Sequence, residues 1–354
     1  MQISVETFTV NKRFPLTISR GTTAQTTNIL VRIEQDEIEG WGEASPFSIV
    51  REDRKNTDEL LKELEQIIPT LEKYSSLDRQ EIEKKLQEMQ VSSSLRAAID
   101  TALHDWLGKR AGLPLWRLWG LNRDRIVPTS VTIGINTPQG ARKRVKDWIA
   151  LMGAKLLKVK LGSPEGIEAD RAMLLAIREE APHAQLTVDA NGGWNLEGAM
   201  EMCDWLAQQG VKYVEQPLPV GEEKNLSQLR SRSPIPIFVD ESCFSSGDIP
   251  RLANCADGIN IKLMKAGGLT EVMRSIHVAK ACGLQIMFGC YSDSSLANTA
   301  MSHLAPLADY LDLDSHLNLA DDPFAGAILE EGRLLPNDLP GLGVQYRRNL
   351  APCP

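Results

Sequence analysis

Short apolar runs recur along residues 130–314, and stretches with the apolar spacing of helices lie between them. Each run has the length of a buried strand, and the runs follow one another at intervals of roughly 25 residues. They occupy 130–135, 156–161, 186–189, 212–215, 237–240, 258–262, 284–289 and 310–314. Eight strands alternating with helices are typical of a closed parallel barrel. The alternative is an open doubly wound sheet, but no G-x-G-x-x-G motif follows the first strand.

The first part of the chain has a different pattern. The segments "ISVETFTV", "NILVRIE" and "EIEGWGEASP" alternate apolar and polar residues and predict an antiparallel sheet. Residues 56–90 have a charged helical pattern, and "SLRAAIDTALHDWLG" carries an apolar stripe that predicts a further helix. We therefore expect an α+β domain over 1–125 and a barrel over 126–318. The Pro- and Gly-rich segment 319–354 is expected to pack back on the N-terminal domain.

Composition excludes several classes of partner. A net charge of −8 offers no basic face to nucleic acid or to an anionic membrane. No apolar run reaches the roughly 20 residues that span a bilayer, and the N-terminus lacks the pattern of a signal peptide. The cysteines show no C-x-x-C spacing, which favours reduced thiols in a cytoplasmic protein; they are Cys203, Cys243, Cys255, Cys282, Cys290 and Cys353.

Ionisable residues stand at the ends of six of the eight predicted barrel strands. Parallel strands that are buried on both faces are normally apolar throughout. A single charge at a strand end is an ordinary cap, but several in the same place indicate a site, because the carboxyl ends of barrel strands form the active-site mouth. The residues are Lys160, Asp189, Glu215, Asp240, Lys262, Asp312 and Asp314.

Three carboxylates among them predict a metal site. Asp189, Glu215 and Asp240 lie on successive strands, which are ~4.8 Å apart in a sheet, so their oxygens can converge. Unpaired carboxylates at that distance repel one another, and a hard divalent cation removes the repulsion. Oxygen-only ligation favours Mg²⁺, with Mn²⁺ as an alternative, and the lack of His or Cys there argues against zinc.

Two lysines flank these carboxylates. Lys160 lies one strand before them and Lys262 one strand after, so we expect the two amines to face each other across the mouth. Lys158 lies two residues before Lys160 on the same strand face, and repulsion between them would lower the pKa of Lys160 to roughly 8.5. Two opposed bases around a metal-held carboxylate predict a 1,1-proton transfer through an enediolate, with inversion at carbon.

The motifs resemble those of the enolase superfamily, in its muconate-lactonizing-enzyme-like subgroup, over nearly the whole chain. "GWGEASP" and "SLRAAIDTALHDWLGKRAGLPLWRLWG" resemble the capping domain, and "KVKLG", "VDANGGW", "VEQPLP", "VDES" and "NIKLMKAGG" resemble the barrel motifs. The resemblance implies a (β/α)₇β TIM-type barrel with an α+β cap built from both chain ends, and by analogy a homo-oligomer. It also implies the roles assigned above to the metal ligands and lysines, with Lys265 structural.

Within that subgroup, "YLDLDSHLNL" resembles the Asp-x-Asp signature of dipeptide epimerases. The resemblance implies that Asp312 and Asp314 bind the α-ammonium of a dipeptide and that the lysines act on the Cα of its C-terminal residue. L-Ala-D/L-Glu is then the first substrate to test. Arg20, in "FPLTISRGTT", resembles an arginine of a mobile cap loop that reads a glutamate side chain, and Thr132 matches a substrate-contacting position.

Other functions remain open from the sequence. Tyr291 and Asp293 stand where family members often have Met and Glu, so the pocket for the substrate side chain is not defined. The same fold supports o-succinylbenzoate synthases, N-acyl amino acid racemases and cycloisomerases, whose substrates carry no ammonium group. A catalytically silent barrel and a metal-assisted hydrolase are further alternatives; the hydrolase is disfavoured because all five histidines lie outside the strand-end set.

Overall fold

The computed structural model describes residues 1–47 and 55–347. The strands, in chain order, are β1 (Gln2–Ile18), β2 (Gly21–Gln35), β3 (Ile38–Ala44), β4 (Val131–Ile133), β5 (Leu156–Lys160), β6 (Gln185–Asp189), β7 (Val211–Glu215), β8 (Ile237–Val239), β9 (Gly258–Lys262), β10 (Gln285–Gly289), β11 (Tyr310–Asp312), β12 (Phe324–Ala325), β13 (Ile328–Glu330), β14 (Arg333–Leu335) and β15 (Gln345–Tyr346). The α-helices are α1 (Thr57–Leu71), α2 (Arg79–Glu88), α3 (Ser93–Ala111), α4 (Leu115–Leu118), α5 (Pro138–Met152), α6 (Ile167–Glu180), α7 (Leu196–Gln208), α8 (Glu223–Arg232), α9 (Ile249–Leu252), α10 (Leu263–Ala266), α11 (Leu269–Ala281) and α12 (Ser295–Ser302).

The predicted barrel is confirmed. Strands β4 to β11 form one eight-stranded parallel sheet in sequential order, and helices connect each strand to the next. The sheet closes where the Ser130 amide donates to the Leu311 carbonyl at 2.9 Å, beside a parallel bridge between Thr129 and Leu311. The eighth strand is followed by a short 3₁₀ turn, so the architecture is (β/α)₇β.

The barrel interior is a packed core below its mouth. The rings of Tyr213, Phe238 and Tyr310 contact one another with centroid separations of 4.6 to 5.4 Å, and Met287 joins them. A Cβ at position 258 would lie 2.2 Å from the Phe238 ring, so glycine is required where this ring crosses β9. Because the interior is filled, chemistry is confined to the carboxyl ends of the strands.

The N-terminal domain packs a three-stranded antiparallel sheet, in the order β1-β2-β3, against helix α3. Glycines in "GWGEA" allow this contact, since a Cβ at Gly42 would lie 1.9 Å from the Ala98 carbonyl oxygen. The predicted antiparallel sheet is therefore confirmed, and the charged segment 56–90 forms the helices α1 and α2.

The segment "FPLTISRGTT" differs from the expected loop, because it forms the end of the β1–β2 hairpin. Its β-branched residues pair across the strands, and the hydroxyls of Thr17 and Thr22 lie 2.8 Å apart. The tip of the hairpin crosses to the barrel, where the Ile135 amide donates to the Thr17 carbonyl at 2.8 Å. Regular strand pairing therefore carries this segment out over the mouth.

Residues 319–347 contact the N-terminal sheet. Leu319 forms an antiparallel bridge with Lys12, the Asn11 amide donates to Asp321 at 2.7 Å, and the Phe324 ring packs edge-on against Phe8 at 5.2 Å. The segment thus packs against the N-terminal sheet, while the division of the chain at 125 and 318 stays a prediction. The end of the predicted tail, 348–354 with Cys353, lies outside the described residues.

Two further properties concern the described residues alone. No helix in 1–47 or 55–347 is long and apolar enough to cross a bilayer. The cysteines in these ranges, which are Cys203, Cys243, Cys255, Cys282 and Cys290, are free thiols.

Candidate active site

Strand register places the charged strand ends at one level of the barrel. Lys160 is directly opposite Asp189, which is directly opposite Glu215. On the other side, Lys262 and Asp312 both lie opposite Gly289. The structure thus brings the sequence-predicted residues together at the carboxyl ends of the strands.

Lys158 lies in the middle of this arrangement and is 1% exposed. Its Nζ is 2.7 Å from Asp312 Oδ2, 2.7 Å from Glu215 Oε2 and 3.3 Å from Asp189 Oδ2. Burial alone would lower the pKa of the Lys158 ammonium, but the three carboxylates outweigh it and hold the pKa well above its ordinary value. Lys158 is therefore a charged counter-ion to these carboxylates; its predicted effect on the pKa of Lys160 stays a prediction.

The two flanking lysines contact different carboxylates. Lys160 Nζ is 2.5 Å from Asp189 Oδ2, and Lys262 Nζ is 2.6 Å from Asp240 Oδ2. Burial opposes the charge on Lys262, but Asp240 together with Tyr291 and Glu215 outweighs burial and raises the pKa of this ammonium. Lys262 also lies 4.5 Å from the centroid of the Tyr291 ring, within the range of a cation–π contact.

Asp189, Glu215 and Asp240 are fully buried, and each is oriented by a further group. The Asn191 amide donates to Asp189 Oδ1 at 2.8 Å, and Asn260 Nδ2 donates to Glu215 Oε1 at 2.7 Å. The other oxygens contact lysines: Asp189 Oδ2 lies 2.5 Å from Lys160 Nζ, and Glu215 Oε2 lies 2.7 Å from Lys158 Nζ. Burial, together with the charge of Asp189, raises the pKa of Glu215 to about 7.

The donor set suits a hard divalent cation, because it consists of carboxylate oxygens that repel one another in a buried position. Within 1–47 and 55–347, no three His, Cys, Asp or Glu side chains converge in an arrangement that could hold a metal ion. Asp189 and Asp240 instead bind lysine ammonium groups. Lys265 is a second lysine at Asp240: its Nζ donates to Asp240 Oδ1 at 2.6 Å and to the Asn260 carbonyl at 2.9 Å, which fixes the orientation of the carboxylate.

The two aspartates of the last barrel strand have different surroundings. Asp312 is occupied on both oxygens, by Lys158 and by the Ser130 hydroxyl at 2.7 Å. Asp314 accepts a hydrogen bond from the Thr132 amide at 2.7 Å. Burial and the charge of Asp312 raise the pKa of Asp314 to about 6. Thr132 thus meets the site through its backbone, and a contact of its side chain with substrate stays a prediction.

Arg20 reaches the barrel mouth from the hairpin tip. Its Nη2 lies 2.9 Å from Glu241 Oε1, and its Nη1 donates to the Asn191 carbonyl at 3.4 Å. The neighbouring Ser19 hydroxyl donates to the same carbonyl at 3.3 Å. Arg20 is therefore at the site, but a carboxylate of the protein already neutralises it.

A cavity of about 1430 Å³, which includes its open mouth, lies between the hairpin and the strand ends. Apolar side chains form one wall, and the rings of Phe47 and Tyr291 stack there at 4.4 Å; the wall consists of Leu16, Ile18, Pro46, Phe47 and Tyr291. Among the residues that the structure describes, the charged groups that line the cavity are cationic: Lys12, Arg20, Lys160 and Lys262.

Sequence reasoning missed several residues of the site. Asn260 stands two residues before Lys262, as Lys158 does before Lys160, so both polar residues point into the barrel one level below a lysine. That repeated spacing is a signal that could have identified Asn260. Glu241 and Asn191 carry no such signal, because their role depends on the hairpin that meets them.

Comparisons with known proteins agree with this geometry. Residues 140–350 match the family model described as enolase C-terminal domain-like, and residues 2–120 match that of the mandelate racemase / muconate lactonizing enzyme N-terminal domain.

Individual relatives align over almost the full chain. A hydrophobic dipeptide epimerase from a Flavobacteria bacterium is 44% identical over 98% of this chain and 99% of its own. An L-Ala-D/L-Glu epimerase from Bacteroides thetaiotaomicron is 34% identical over 97% of this chain and 88% of its own. The crystal structure of a dipeptide epimerase from Cytophaga hutchinsonii, complexed with Mg and D-Ala-L-Val, superposes with a TM-score of 0.92 at 28% identity, covering 99% of this chain and 96% of that one. The chain therefore belongs to the mandelate racemase / muconate lactonizing enzyme family of the enolase superfamily, and it is an isomerase.

Proposed function

We propose that the protein is a Mg²⁺-dependent dipeptide epimerase that inverts the Cα of the C-terminal residue. The observation that carries this proposal is the position of Lys160 and Lys262. Both line one cavity, and they end strands β5 and β9, which are separated by three strands in either direction around the barrel. A substrate carbon held between them presents one face to each amine.

The reaction needs only a proton transfer on each face. The neutral amine of one lysine takes the α-proton, and the electron pair of the broken C–H bond delocalises into the carboxylate as an enediolate. The ammonium of the other lysine then donates a proton to the opposite face of Cα, and the electron pair returns to form the new C–H bond. Solvent exchange resets the two lysines for the next turnover.

Asp189, Glu215 and Asp240 would hold Mg²⁺, for which Mn²⁺ is the chemical alternative. When bound, the cation supplies positive charge to offset the charge that develops on the substrate carboxylate. Asn191, Asn260 and Lys265 orient the three carboxylates through the hydrogen bonds described above. Relatives crystallised with Mg support this choice of metal.

The ammonium end of the dipeptide is assigned to the last barrel strand. Asp314 is the better candidate of the two aspartates, because Asp312 is paired with Lys158 and Ser130. An ammonium group placed beside Asp314 would compensate the buried carboxylate charge.

The apolar wall favours a hydrophobic side chain on the C-terminal residue. Leu16, Ile18 and the stacked rings of Phe47 and Tyr291 form it. Arg20 is neutralised by Glu241 and is therefore a weaker partner for a glutamate side chain than the sequence suggested. The relative at 44% identity is named for hydrophobic dipeptides. We therefore rank L-Ala-L-Leu above L-Ala-L-Glu as a test substrate.

Deuterium exchange tests the proposal directly. The protein is incubated with Mg²⁺ in D₂O and with L-Ala-L-Leu, L-Ala-L-Glu, N-acetyl-L-leucine or an o-succinylbenzoate precursor. We expect the dipeptides to gain one deuterium at the C-terminal Cα and to form the epimer, with faster turnover of L-Ala-L-Leu than of L-Ala-L-Glu. EDTA should abolish the activity, and added Mg²⁺ should restore it. Turnover of only the acyl amino acid or the succinylbenzoate precursor would overturn the proposal in favour of a same-fold alternative.

A further inference from the structure

Lys12 is a cation of the cavity that the proposed chemistry does not use and that differs from the others in its partners. Lys12 lines it together with Lys160, Lys262 and Arg20. The other three have carboxylate partners at 2.5 to 2.9 Å. Among the residues that the structure describes, none forms a hydrogen bond or an ion pair with Lys12 Nζ. An unpaired ammonium on the wall of a binding cavity is available to a ligand.

The path of β1 explains why Lys12 points into the cavity. Pairing between β1 and β2 is interrupted between Asn11 and Leu16. In that interruption Lys12 bridges Leu319 instead, so the strand turns towards the barrel. Leu16 and Ile18 continue the same wall. The strand thus crosses the mouth, with Arg20 near Asn191 at one end and Lys12 at the other.

The surroundings of Lys12 place it at the ammonium end of the proposed substrate. The groups that act on its charge are Cys290, Asp314 and Asp293, which follow β10 and β11. Burial is the strongest influence on the Lys12 amine and opposes its charge. An additional anion close to Lys12 would therefore be stabilising.

The neighbouring carboxylates already have other donors. Asp314 accepts from the Thr132 amide. Asp293 accepts from the Ser45 hydroxyl at 2.6 Å and from the Tyr291 amide at 3.1 Å. Lys12 is therefore not needed to satisfy either group, which leaves it for the substrate.

We propose that Lys12 is a specificity residue that favours an acidic side chain on the N-terminal residue of the dipeptide and disfavours a basic one. This rests on the proposed function, since the N-terminal residue is located by its ammonium at Asp314. A carboxylate of Asp or Glu would reach the Lys12 ammonium from there, whereas a Lys or Arg side chain would be repelled.

The test compares dipeptides whose N-terminal side chain is acidic, neutral or basic, with Glu and Gln as an isosteric pair. The kcat/KM values of L-Glu-L-Leu, L-Gln-L-Leu and L-Lys-L-Leu are measured for the wild type, Lys12→Met, Lys12→Arg and Lys12→Glu. We expect the wild type to prefer Glu over Gln by about tenfold and Gln over Lys by a smaller factor, as for one charge-assisted contact. Lys12→Met should abolish the ranking, Lys12→Arg should keep it, and Lys12→Glu should reverse it.

Arg13→Met is the matched control, because it removes the same charge from an exposed neighbour on β1 and should keep the wild-type ranking. A wild type that does not distinguish Glu from Gln, or a Lys12→Met variant that still does, overturns the inference. Turnover of L-Ala-L-Leu distinguishes a failure of the Lys12 inference from a failure of the proposed function. If that dipeptide reacts without any charge ranking, only the role of Lys12 fails; if no dipeptide reacts, the proposed function fails and the inference falls with it.

Discussion

Lys160 and Lys262 end strands that lie diametrically opposite in the barrel, with β6, β7 and β8 between them on one side and β10, β11 and β4 on the other. Each amine contacts the nearest acidic strand end, Asp189 for Lys160 and Asp240 for Lys262. The sheet itself therefore holds the two amines apart, as the proposed proton transfer on opposite faces of a bound carbon requires.

Variants that lack one lysine should show which lysine exchanges the proton on which face of the substrate Cα. Lys160→Met and Lys262→Met should each lower the epimerisation rate by about 10²–10⁴-fold, the usual contribution of a general base. In D₂O each variant should still exchange the α-proton of one epimer, and the two variants should retain opposite epimers. Proton NMR of L-Ala-L-Leu and L-Ala-D-Leu measures this.

The outcome that contradicts opposed bases is loss of exchange from both epimers in either variant while the protein remains folded. Lys155→Met, at a position just before β5, is the control for removal of a lysine near this strand, and it should leave both exchange rates unchanged.

Gly289→Ala should slow proton exchange mainly on the Lys262 face of the substrate Cα. A Cβ at this position would lie 2.6 Å from the Asn260 side chain and 2.9 Å from Lys262 Cε, so the Lys262 side chain must move. We expect exchange on the Lys262 face to slow by about 10–100-fold, because displacement of a base by about 1 Å has that effect. Exchange on the Lys160 face should change less.

The same NMR measurement tests Gly289→Ala, with Gly247→Ala as control, since a Cβ there meets only the Ser245 hydroxyl at 3.6 Å. Equal slowing of proton exchange on both faces of Cα would show that Gly289 affects something other than the position of the Lys262 side chain.

The two aspartates of the last strand should have separable effects. Asp312→Asn weakens the contacts of buried Lys158, and we expect it to lower the free energy of unfolding by about 2–4 kcal/mol. Asp314→Asn keeps an acceptor for the Thr132 amide but removes the charge, so kcat/KM for a free dipeptide should fall by about 10–100-fold. Urea unfolding and kinetics measure the two effects.

An N-acetylated dipeptide is the control substrate for Asp314→Asn, because it has no ammonium group. If the variant loses activity equally on the free and the acetylated dipeptide, Asp314 does not bind the ammonium.

Glu43 should make the stability of the contact between the N-terminal domain and the barrel depend on pH. It lies one residue before the end of β3, and it accepts from the amides of Ser294 and Ala297, at the N-terminus of helix α12, at 3.0 and 3.2 Å. Burial, with the charge of Asp293, raises the pKa of Glu43 from 4.5 to about 8. The folded state therefore keeps a proton that the unfolded state releases, so the contribution of Glu43 to stability is fully present below pH 4.5 and is lost as the pH rises through 8.

Glu43→Gln removes this titration. The stability of the wild type relative to the variant should fall between pH 5 and pH 8, by at most about 1.4 kcal/mol per pH unit. Urea unfolding at several pH values measures it, and Glu34→Gln, at an exposed position of the same sheet, gives the background effect of the substitution. A difference that stays constant across this range would refute the assignment.

Much of the architecture was predictable because it depends on local pattern. The eight barrel strands were located to within about two residues of their ends, since a buried strand is a short apolar run. The charged strand ends were also predictable as a set, because a period of two directs Lys158 and Lys160 to one face. The hairpin at 14–23 was not, because its strand pairing extends beyond the clear alternation of residues 3–10.

The sequence by itself determined which residues stand at the mouth and that their chemistry is carboxylate and amine, since both follow from residue type and strand period. Tertiary structure alone decided which charges meet. Lys158 pairs with Asp312 because closure of the barrel brings β11 back beside β4. Arg20 meets Glu241, and Lys12 has no partner among residues 1–47 and 55–347, because the β1–β2 hairpin crosses the mouth. Such contacts join residues far apart in the chain, and no local pattern encodes the distance between them.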